Sequence, residues 1–328
     1  MGNRQGGRLK ILVTGNLGLI GRRLTEELKI KGHKVYGVDD VSTSRKPIPK
    51  YAYGEWQFKG TVKEFYNTLN YADSRTERFD FIYHLASPVG PVAVLKHAGK
   101  MSINILEDLN LMAELALENS CPLVEISTSE VYGQNPIVSQ EEDINKIVPS
   151  NYTVRLEYGV SKLLGEIMLS NIAKNSPLKY FEIRPFNIVG CGQNAESGFV
   201  LPRFTQQALR GEPLTVYGDG SDLRTFTAVQ DFVAALLLLM DCNKYGTTFN
   251  VGNPNNQITI GELARMVTKE IPGKIVFLDP KTLHGKNFEG AWNKIANINR
   301  AKSLLGWYPK VSLDEIVREV IEYERDVF

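Results

Sequence analysis

Tyr158 and Lys162 stand four residues apart in a segment with helical periodicity, so both side chains would lie on one face of a helix. The predicted helix follows a strand that ends in STSE, residues 127–130. Parallel α/β sheets carry their chemistry at the carboxyl ends of strands. A tyrosine, with a pKa of about 10 when free, acts as a base near neutrality if nearby positive charge stabilises its phenolate. The pattern therefore indicates removal of an alcohol proton while a hydride leaves the same carbon.

A glycine-rich loop follows the first predicted strand and opens the first predicted helix. Glycines at this spacing allow a tight turn and close backbone approach, and the helix N-terminus attracts a pyrophosphate. The spacing is GxxGxxG rather than GxGxxG, and the strand–loop–helix context gives the loop its weight. The predicted dinucleotide-binding residues are Gly15, Asn16, Leu17, Gly18, Leu19, Ile20 and Gly21.

Asp39 and Asp40 end the second predicted strand. An acidic residue at this point accepts hydrogen bonds from the ribose hydroxyls of a dinucleotide and repels a 2′-phosphate. Arg45 lies beyond the usual position for a 2′-phosphate partner. These residues favour NAD over NADP, and the alternative is that the aspartates are solvated loop acids.

The elements that must position these residues alternate between strands and helices in the first half of the chain. The pattern predicts strands at 9–14, 35–38, 79–84, 123–127 and 180–184, and helices at 22–31, 103–118 and 158–173. Such alternation implies right-handed βαβ units. We therefore predict an α/β fold: a Rossmann-type, doubly wound parallel sheet with a smaller C-terminal α/β substrate lobe. The predicted domains are 1–189 and 190–328, with residues near 248–252 returning to the main sheet.

Composition narrows the class of protein. The 328 residues are 43% hydrophobic and 23% charged with a net charge of +1, so we expect neither a nucleic-acid nor a membrane partner. The three cysteines are far apart and have no CxxC spacing, which predicts reduced thiols and no metal site. With neither a signal-type segment nor a membrane-length apolar run in the sequence, we expect a cytoplasmic protein.

The chain resembles the extended short-chain dehydrogenases/reductases that modify nucleotide sugars. The resemblance covers nearly the whole sequence and includes TGNLGLIG, VDD, YHLAS, STSEVYG, YGVSK, RPFNIVG, LPRF, FNVGNP and LGWYP, in family order. It implies that NAD is reduced and reoxidised within each turnover. It also implies that Tyr158 is the base, that Lys162 holds the nicotinamide ribose and lowers the tyrosine pKa, and that Thr128 contacts the sugar. Leu85, Ala86 and Ser87 would contact the cofactor.

The resemblance assigns the second lobe to the nucleotide of the substrate. Asn187 and Arg224 would hold phosphates, and a guanidinium is a planar fork of donors suited to that role. Leu201, Arg203 and Tyr217 would surround the base, together with the rest of the LPRF segment, although residues such as Tyr217 and Phe204 are more often part of a core than stacked on a base.

Three residues after the fifth strand bear on the reaction. Ser129 cannot readily supply the acidic proton that a 4,6-dehydratase needs. The triplet Thr128-Ser129-Glu130 and the pair Ser87-Pro88, where Pro88 would contact substrate, resemble UDP-glucuronate decarboxylases. A ketone at C4 makes the C6 carboxylate a β-keto acid, so CO2 departs, and Ser129 and Glu130 would manage the proton returned to C5.

Other positions depart from the decarboxylase pattern. Those enzymes have the motif YxxGK at the catalytic pair, where this chain has YGVSK, and they carry an arginine where this chain has Lys294. A lysine neutralises a carboxylate but does not grip it bidentately. A UDP-sugar or UDP-uronate 4-epimerase, or a C5 epimerase, stays open. The alternative from another class is a non-catalytic NAD-binding regulator. The resemblance also implies a homodimer through a four-helix bundle, although the same apolar helix residues could form core.

Overall fold

The computed structural model describes residues 7–71, 78–279 and 294–327. Its strands, in chain order, are β1 Lys10–Thr14, β2 Lys34–Asp39, β3 Trp56–Lys59, β4 Phe81–His84, β5 Leu123–Ile126, β6 Ser139–Gln140, β7 Tyr180–Pro185, β8 Ile188–Val189, β9 Leu214–Tyr217, β10 Leu223–Thr225, β11 Thr227–Ala228, β12 Thr247–Val251, β13 Gln257–Thr259, β14 Ile275–Leu278 and β15 Ile295–Ala296. The described helices are α1 Leu19–Ile30, α2 Val62–Tyr71, α3 Pro91–Lys96, α4 Met101–Asn119, α5 Val154–Asn175, α6 Val200–Leu209, α7 Val229–Leu238, α8 Ile260–Glu270, α9 Asn299–Leu305 and α10 Leu313–Val327.

Seven parallel strands form the central sheet in the order β12-β7-β5-β4-β1-β2-β3. Helices cover both faces, which is why β4 and β5 are buried along their whole length. Leu24 of α1 and Phe232 of α7 pack in the core on one face. Val62 of α2, Met112 of α4 and Leu169 of α5 pack on the other. The architecture confirms the predicted Rossmann-type α/β fold.

A second hydrophobic core lies outside the central sheet. Its buried residues come from α6, β9, α8 and α10, and include Phe204, Val216, Leu263 and Val317. The chain passes between the two cores more than once, because α7 packs in the core of the central sheet and β12 pairs with β7 at its edge. The division at residue 190 stays a prediction.

Two elements of the central layer have no counterpart in the predicted pattern. β3 is a four-residue edge strand with no fully buried side chain, so it lacks the apolar run that marks an inner strand. The helix α2 follows it. The helix that carries Tyr158 begins at Val154, so the expectation that it starts at residue 158 is wrong by one turn. Thr153 caps it by accepting a hydrogen bond from the Leu156 N–H at 3.2 Å.

Within the described residues, no helix is long and apolar enough to cross a membrane. Nor do the described histidine, cysteine and acidic side chains gather in threes where they could hold a metal ion.

Candidate active site

The glycine loop between β1 and α1 is built without room for side chains. Gly15 has a φ of +69°, and a Cβ there would lie 2.8 Å from the Ala86 nitrogen. A Cβ on Gly21 would lie 2.1 Å from the Gly15 oxygen, so only glycine lets the helix start so close to the loop. Gly18 is the N-cap of α1, and because it is a glycine it has no side chain to cap the helix N-terminus. The loop thus presents backbone and a helix N-terminus, the surface that a pyrophosphate needs.

Asp39 closes the end of β2 next to this loop. Its carboxylate accepts hydrogen bonds from the Leu17 N–H at 2.9 Å and the Val41 N–H at 2.7 Å. Burial raises the pKa of Asp39, and these backbone donors oppose the rise. Arg45 does not face this carboxylate as a phosphate partner, because its guanidinium pairs with Glu324, with 2.9 Å between Nη2 and Oε2. The geometry therefore suits a ribose with a free 2′-hydroxyl.

The side chains of Asn16 and Asp40 have local partners. Asn16 is fully buried and exchanges amide hydrogen bonds with Gln57 of β3 at 2.8 and 3.0 Å. It also donates to the Ala52 oxygen at 3.0 Å. Asp40 is exposed and accepts from the Ser42 N–H at 2.9 Å. Asn16 therefore ties the loop to the edge strand, and only its backbone is left for a cofactor. Leu19 and Ile20 form the first turn of α1.

The residues after β4 form the opposite wall of the loop. The Leu85 N–H donates to the Thr14 oxygen at 3.1 Å, and the Ala86 N–H donates to Thr14 Oγ1 at 3.2 Å. Ser87 Oγ is buried and makes no hydrogen bond within the described part of the chain. A buried hydroxyl without a partner is costly, so it marks a place where a ligand would satisfy it. Pro88 follows, partly exposed.

Tyr158, Thr128 and Lys162 meet at the carboxyl end of β5. Tyr158 and Lys162 lie on adjacent turns of α5 and are 8% and 3% exposed. Lys162 Nζ donates to Glu125 Oε1 at 2.8 Å and to the Ile126 oxygen at 2.7 Å. Burial raises the pKa of Tyr158, while the Lys162 ammonium and a hydrogen bond with Thr128 act to lower it. Positive charge added by a bound nicotinamide would act in the same direction.

Gly159 explains why α5 can come so close to the turn that holds Thr128. Thr128 caps the short 3-10 helix Ser129–Tyr132, accepting from the Glu130 N–H at 3.2 Å. A Cβ on Gly159 would lie 2.9 Å from the Glu130 oxygen. The small residue after Tyr158 is therefore required by packing, and Ser129 is buried in the same turn.

Glu130 lies between two cations. Its Oε1 is 3.1 Å from Nη1 of Arg155 and 3.0 Å from Nζ of Lys294, whose side chain is 5% exposed. Burial acts to raise the pKa of Glu130, but Lys294 and Arg155 together hold it at about 2. The carboxylate is therefore ionised at neutral pH, and two positive charges surround it beside Tyr158.

Comparison with known proteins agrees with this geometry. The profile of a family described as the NAD dependent epimerase/dehydratase family matches residues 11–252. The UDP-glucuronic acid decarboxylase 1 of Danio rerio is 34% identical over 96% of this chain and 72% of its own. The chain belongs to the NAD dependent epimerase/dehydratase family.

Two solved structures share the fold of this family member over almost its whole length. A UDP-glucose 4-epimerase from Thermotoga maritima, determined with UDP-glucose, superposes with a TM-score of 0.84 at 25% identity, covering 97% of this chain and 99% of its own. A UDP-glucuronic acid 4-epimerase from Bacillus cereus, determined with UDP-glucuronic acid and NAD, has a TM-score of 0.80 at 25% identity, covering 98% of this chain and 100% of its own. The match confirms the family and its NAD dependence.

The two residues predicted to hold phosphates, Arg224 and Asn187, lie close to each other. Arg224 of β10 is 3.2 Å from Asp222 through Nη2 and donates to the Leu223 oxygen at 2.7 Å. Burial lowers the pKa of Arg224, and the proximity of Arg155 adds to this effect. Asn187 has a φ of +43° and donates to the Thr225 oxygen at 2.8 Å. Arg224 thus extends the positive region from Arg155.

The residues predicted around a nucleotide base divide into two groups. Leu201 and Phe204 are fully buried in the second core, so their side chains are committed to packing. The Arg203 guanidinium lies 4.3 Å from the centre of the Tyr217 ring and donates to the Thr215 oxygen at 3.0 Å. Tyr217 is half-buried. This stacked pair therefore presents a planar surface.

Two residues of this site were not predicted. Arg155 lies three residues before Tyr158, a spacing that places both on one helix face, but the late helix start left it outside the predicted helix. Glu125 is the third residue of the inner strand β5, and a single buried acid in a central strand gives no spacing from which its partner could be read.

Proposed function

We propose that this protein decarboxylates UDP-glucuronate after transient oxidation at C4 of the sugar. The observation that carries the proposal is the pair of cations, Arg155 and Lys294, held against Glu130 beside Tyr158. A neutral sugar offers these charges nothing, whereas a carboxylate at C6 can share them. The Danio rerio relative, a UDP-glucuronic acid decarboxylase by name, supports the same substrate.

Tyr158 would accept the proton of the C4 hydroxyl. Thr128 hydrogen-bonds the tyrosine, and Lys162 supplies the positive charge that favours its phenolate. Glycines 15, 18 and 21 with Asp39, Ser87 and Lys162 would hold NAD, which supplies the hydride acceptor for this oxidation and returns the hydride at the end. The crowded glycine loop and the partnerless Ser87 hydroxyl fit such a ligand.

The ketone at C4 lets the bond between C5 and C6 break, because its electron pair is taken up as an enolate. Arg155 and Lys294 would orient the departing carboxylate. Once CO2 has left, the enolate takes a proton from water at C5. Glu130 and Ser129, which lie in the same turn, would position that water.

The nucleotide would lie along the second lobe. Arg224 is placed to hold a phosphate, and Asn187 lies next to it at the end of β7. The stacked pair of Arg203 and Tyr217 would face the base, and Leu201 would support that wall from the core.

A 4-epimerase acting on a UDP-uronate is the second candidate. Lys294 offers one point charge at the position where the decarboxylases carry an arginine, so it neutralises a carboxylate without fixing its plane. The UDP-glucuronic acid 4-epimerase of Bacillus cereus supports this alternative. In that case the carboxylate would be bound and retained.

Product analysis separates the two. Purified protein is incubated with UDP-glucuronate, UDP-glucose and UDP-N-acetylglucosamine, and the products are examined by mass spectrometry and NMR. Loss of CO2 from UDP-glucuronate, with the other two nucleotide sugars unchanged, supports the proposal. Unchanged mass with altered ring couplings supports epimerisation, and loss of water from UDP-glucose contradicts both. The Lys162→Met variant is the control for catalysis by the protein itself.

We also propose a homodimer through α4 and α5. Val160, Leu164 and Ile167 form an i, i+4, i+7 stripe on α5, and their side chains are 37%, 46% and 49% exposed. Ile103 on α4 is 67% exposed. A second copy packed on this face would complete a four-helix bundle. Light scattering tests it: Leu164→Glu should give a monomer, whereas Leu304→Glu, at an equally exposed leucine on α9, should not.

The free thiols support a cytoplasmic location for this enzyme. Cys121, Cys191 and Cys242 form no disulfide with one another. Fractionation of the source cells tests this directly.

We further propose that residues 1–189 form the cofactor domain and 190–328 the substrate lobe. If they do, a fragment of 1–189 lacking β12 should bind NAD weakly, because the sheet edge at β7 is then left open.

A further inference from the structure

Lys162 is held by a carboxylate that the reaction itself does not call for. Glu125 is 2% exposed and lies on β5, which is covered on both faces. Such strands are ordinarily apolar, and a buried ion pair contributes little to stability because both charges lose their hydration. Glu125 nevertheless accepts the Lys162 ammonium at 2.8 Å. Its presence under the catalytic pair therefore calls for a functional reason.

Glu125 also belongs to a row of polar residues that crosses five neighbouring strands. Thr14, His84, Glu125, Glu182 and Thr248 are paired in register across the sheet. Thr14 Oγ1 and His84 Nδ1 are 2.8 Å apart, and His84 Nε2 is 3.9 Å from Glu125 Oε2. Burial lowers the pKa of His84 to about 3, so it is neutral. The row thus links Lys162 to the last residue before the glycine loop.

We propose that Glu125 is a positioning residue for the catalytic pair: it fixes the Lys162 ammonium beneath the site and offsets part of its positive charge at Tyr158. This inference rests on the proposed roles of Tyr158 and Lys162, and it holds for decarboxylation and epimerisation alike. Glu125 hydrogen-bonds Lys162 and not Tyr158, so it acts through the lysine.

The charged groups around Tyr158 fix the direction of the effect. Lys162 of the same helix lowers its pKa, while Glu130 on the adjoining turn and Glu125 on β5 raise it. From α4, Asp108 acts on Lys162 in the same sense as Glu125. Burial lowers the pKa of Lys162, and Glu125 is the largest influence that raises it. Without the Glu125 charge, the pKa values of both Tyr158 and Lys162 fall.

The first test follows nicotinamide reduction on mixing with UDP-sugar, a signal that precedes any later fate of the ketone. For Glu125→Gln, both limbs of its pH profile should move to lower pH by roughly half a unit to one unit. Glu125→Asp, which keeps the charge, should restore the wild-type profile even if the rate falls. Glu182→Gln is the matched control, since Glu182 lies beside Glu125 in register and bonds Thr248 instead of Lys162. A Glu125→Gln profile that superposes on the wild type overturns the proposal.

The second test needs no cofactor and no substrate. Thermal unfolding of the ligand-free protein is measured for Glu125→Leu, Lys162→Met and the double variant. If Glu125 fixes the ammonium, removing it alone leaves a buried unpaired charge, and the double variant should melt above Glu125→Leu. Strictly additive losses contradict the proposal. If the protein turns over no UDP-sugar, the proposed function fails and this cycle still decides the pairing; if products form and the pH profile does not move, only the inference on Glu125 fails.

Discussion

Lys294 and Glu130 form a buried ion pair at 3.0 Å, although they stand far apart in the chain. Arg155 reaches the same carboxylate oxygen from α5 at 3.1 Å. Two cations thus share one carboxylate beside Tyr158, the proposed base. This pair of positive charges is the feature by which we propose that the site distinguishes a uronate from a neutral sugar.

Replacing Lys294 should therefore remove the preference for an acidic sugar. For Lys294→Met, we expect the affinity for UDP-glucuronate to fall roughly a hundredfold, or about 3 kcal/mol, because a buried charge loses its partner. The affinity for UDP-glucose should change little. Calorimetric titration of both nucleotides measures the ratio. Lys294→Arg keeps the charge and should keep the preference, and equal losses for the two sugars would falsify the assignment of Lys294 to the carboxylate.

Tyr158→Phe tests the base. We expect turnover to drop by roughly three orders of magnitude, the middle of the range for loss of a general base. NAD content should be unchanged, since the assigned cofactor contacts of the glycine loop remain. The control is Tyr66→Phe on α2, which removes a hydroxyl that donates to Glu114 of α4 at 3.1 Å, and it should retain full activity. Turnover by Tyr158→Phe at the wild-type rate would show that another group takes the proton.

Gly159→Ala tests the close contact between α5 and the turn that holds Thr128 and Glu130. The new Cβ would lie 2.9 Å from the Glu130 oxygen, a backbone atom that cannot rotate away. We expect kcat to fall roughly tenfold or more as the tyrosine and the turn separate. At Gly165 on the same helix, a Cβ would meet only the end of the Leu109 side chain at 2.8 Å. Gly165→Ala should therefore stay active, and equal kinetics for the two variants would exclude a special role for Gly159.

Glu182 predicts how stability depends on pH. Burial and the neighbouring Glu166 raise its pKa from 4.5 to about 8, so the folded protein binds a proton that the unfolded chain has released. The stability that this provides is complete below about pH 4.5 and is lost as the pH rises through about 8. Glu182→Gln should flatten this part of the curve of melting temperature against pH. An unchanged slope in this window would contradict the assigned pKa.

The sequence by itself determined the features that depend on neighbouring residues. The glycines at 15, 18 and 21, Asp39 at a strand end, and the spacing of Tyr158 and Lys162 each follow from local backbone geometry, which a few residues set. The alternation of strands and helices likewise determined the fold class. β3 was not predicted because an edge strand without buried side chains shows no distinctive hydrophobic periodicity in the sequence.

Only the tertiary structure decided which distant charges meet. Nothing in the spacing of these residues shows that Lys294 and Arg155 share the carboxylate of Glu130. Nor does anything near Glu125 in the sequence show that its partner is Lys162. Such pairs form because closing the long loops and burying the helices leaves each charge only the partners that the fold provides, and a buried charge must have one. The sequence therefore predicted the oxidation chemistry, and the fold brought together the charges on which the proposed choice of sugar rests.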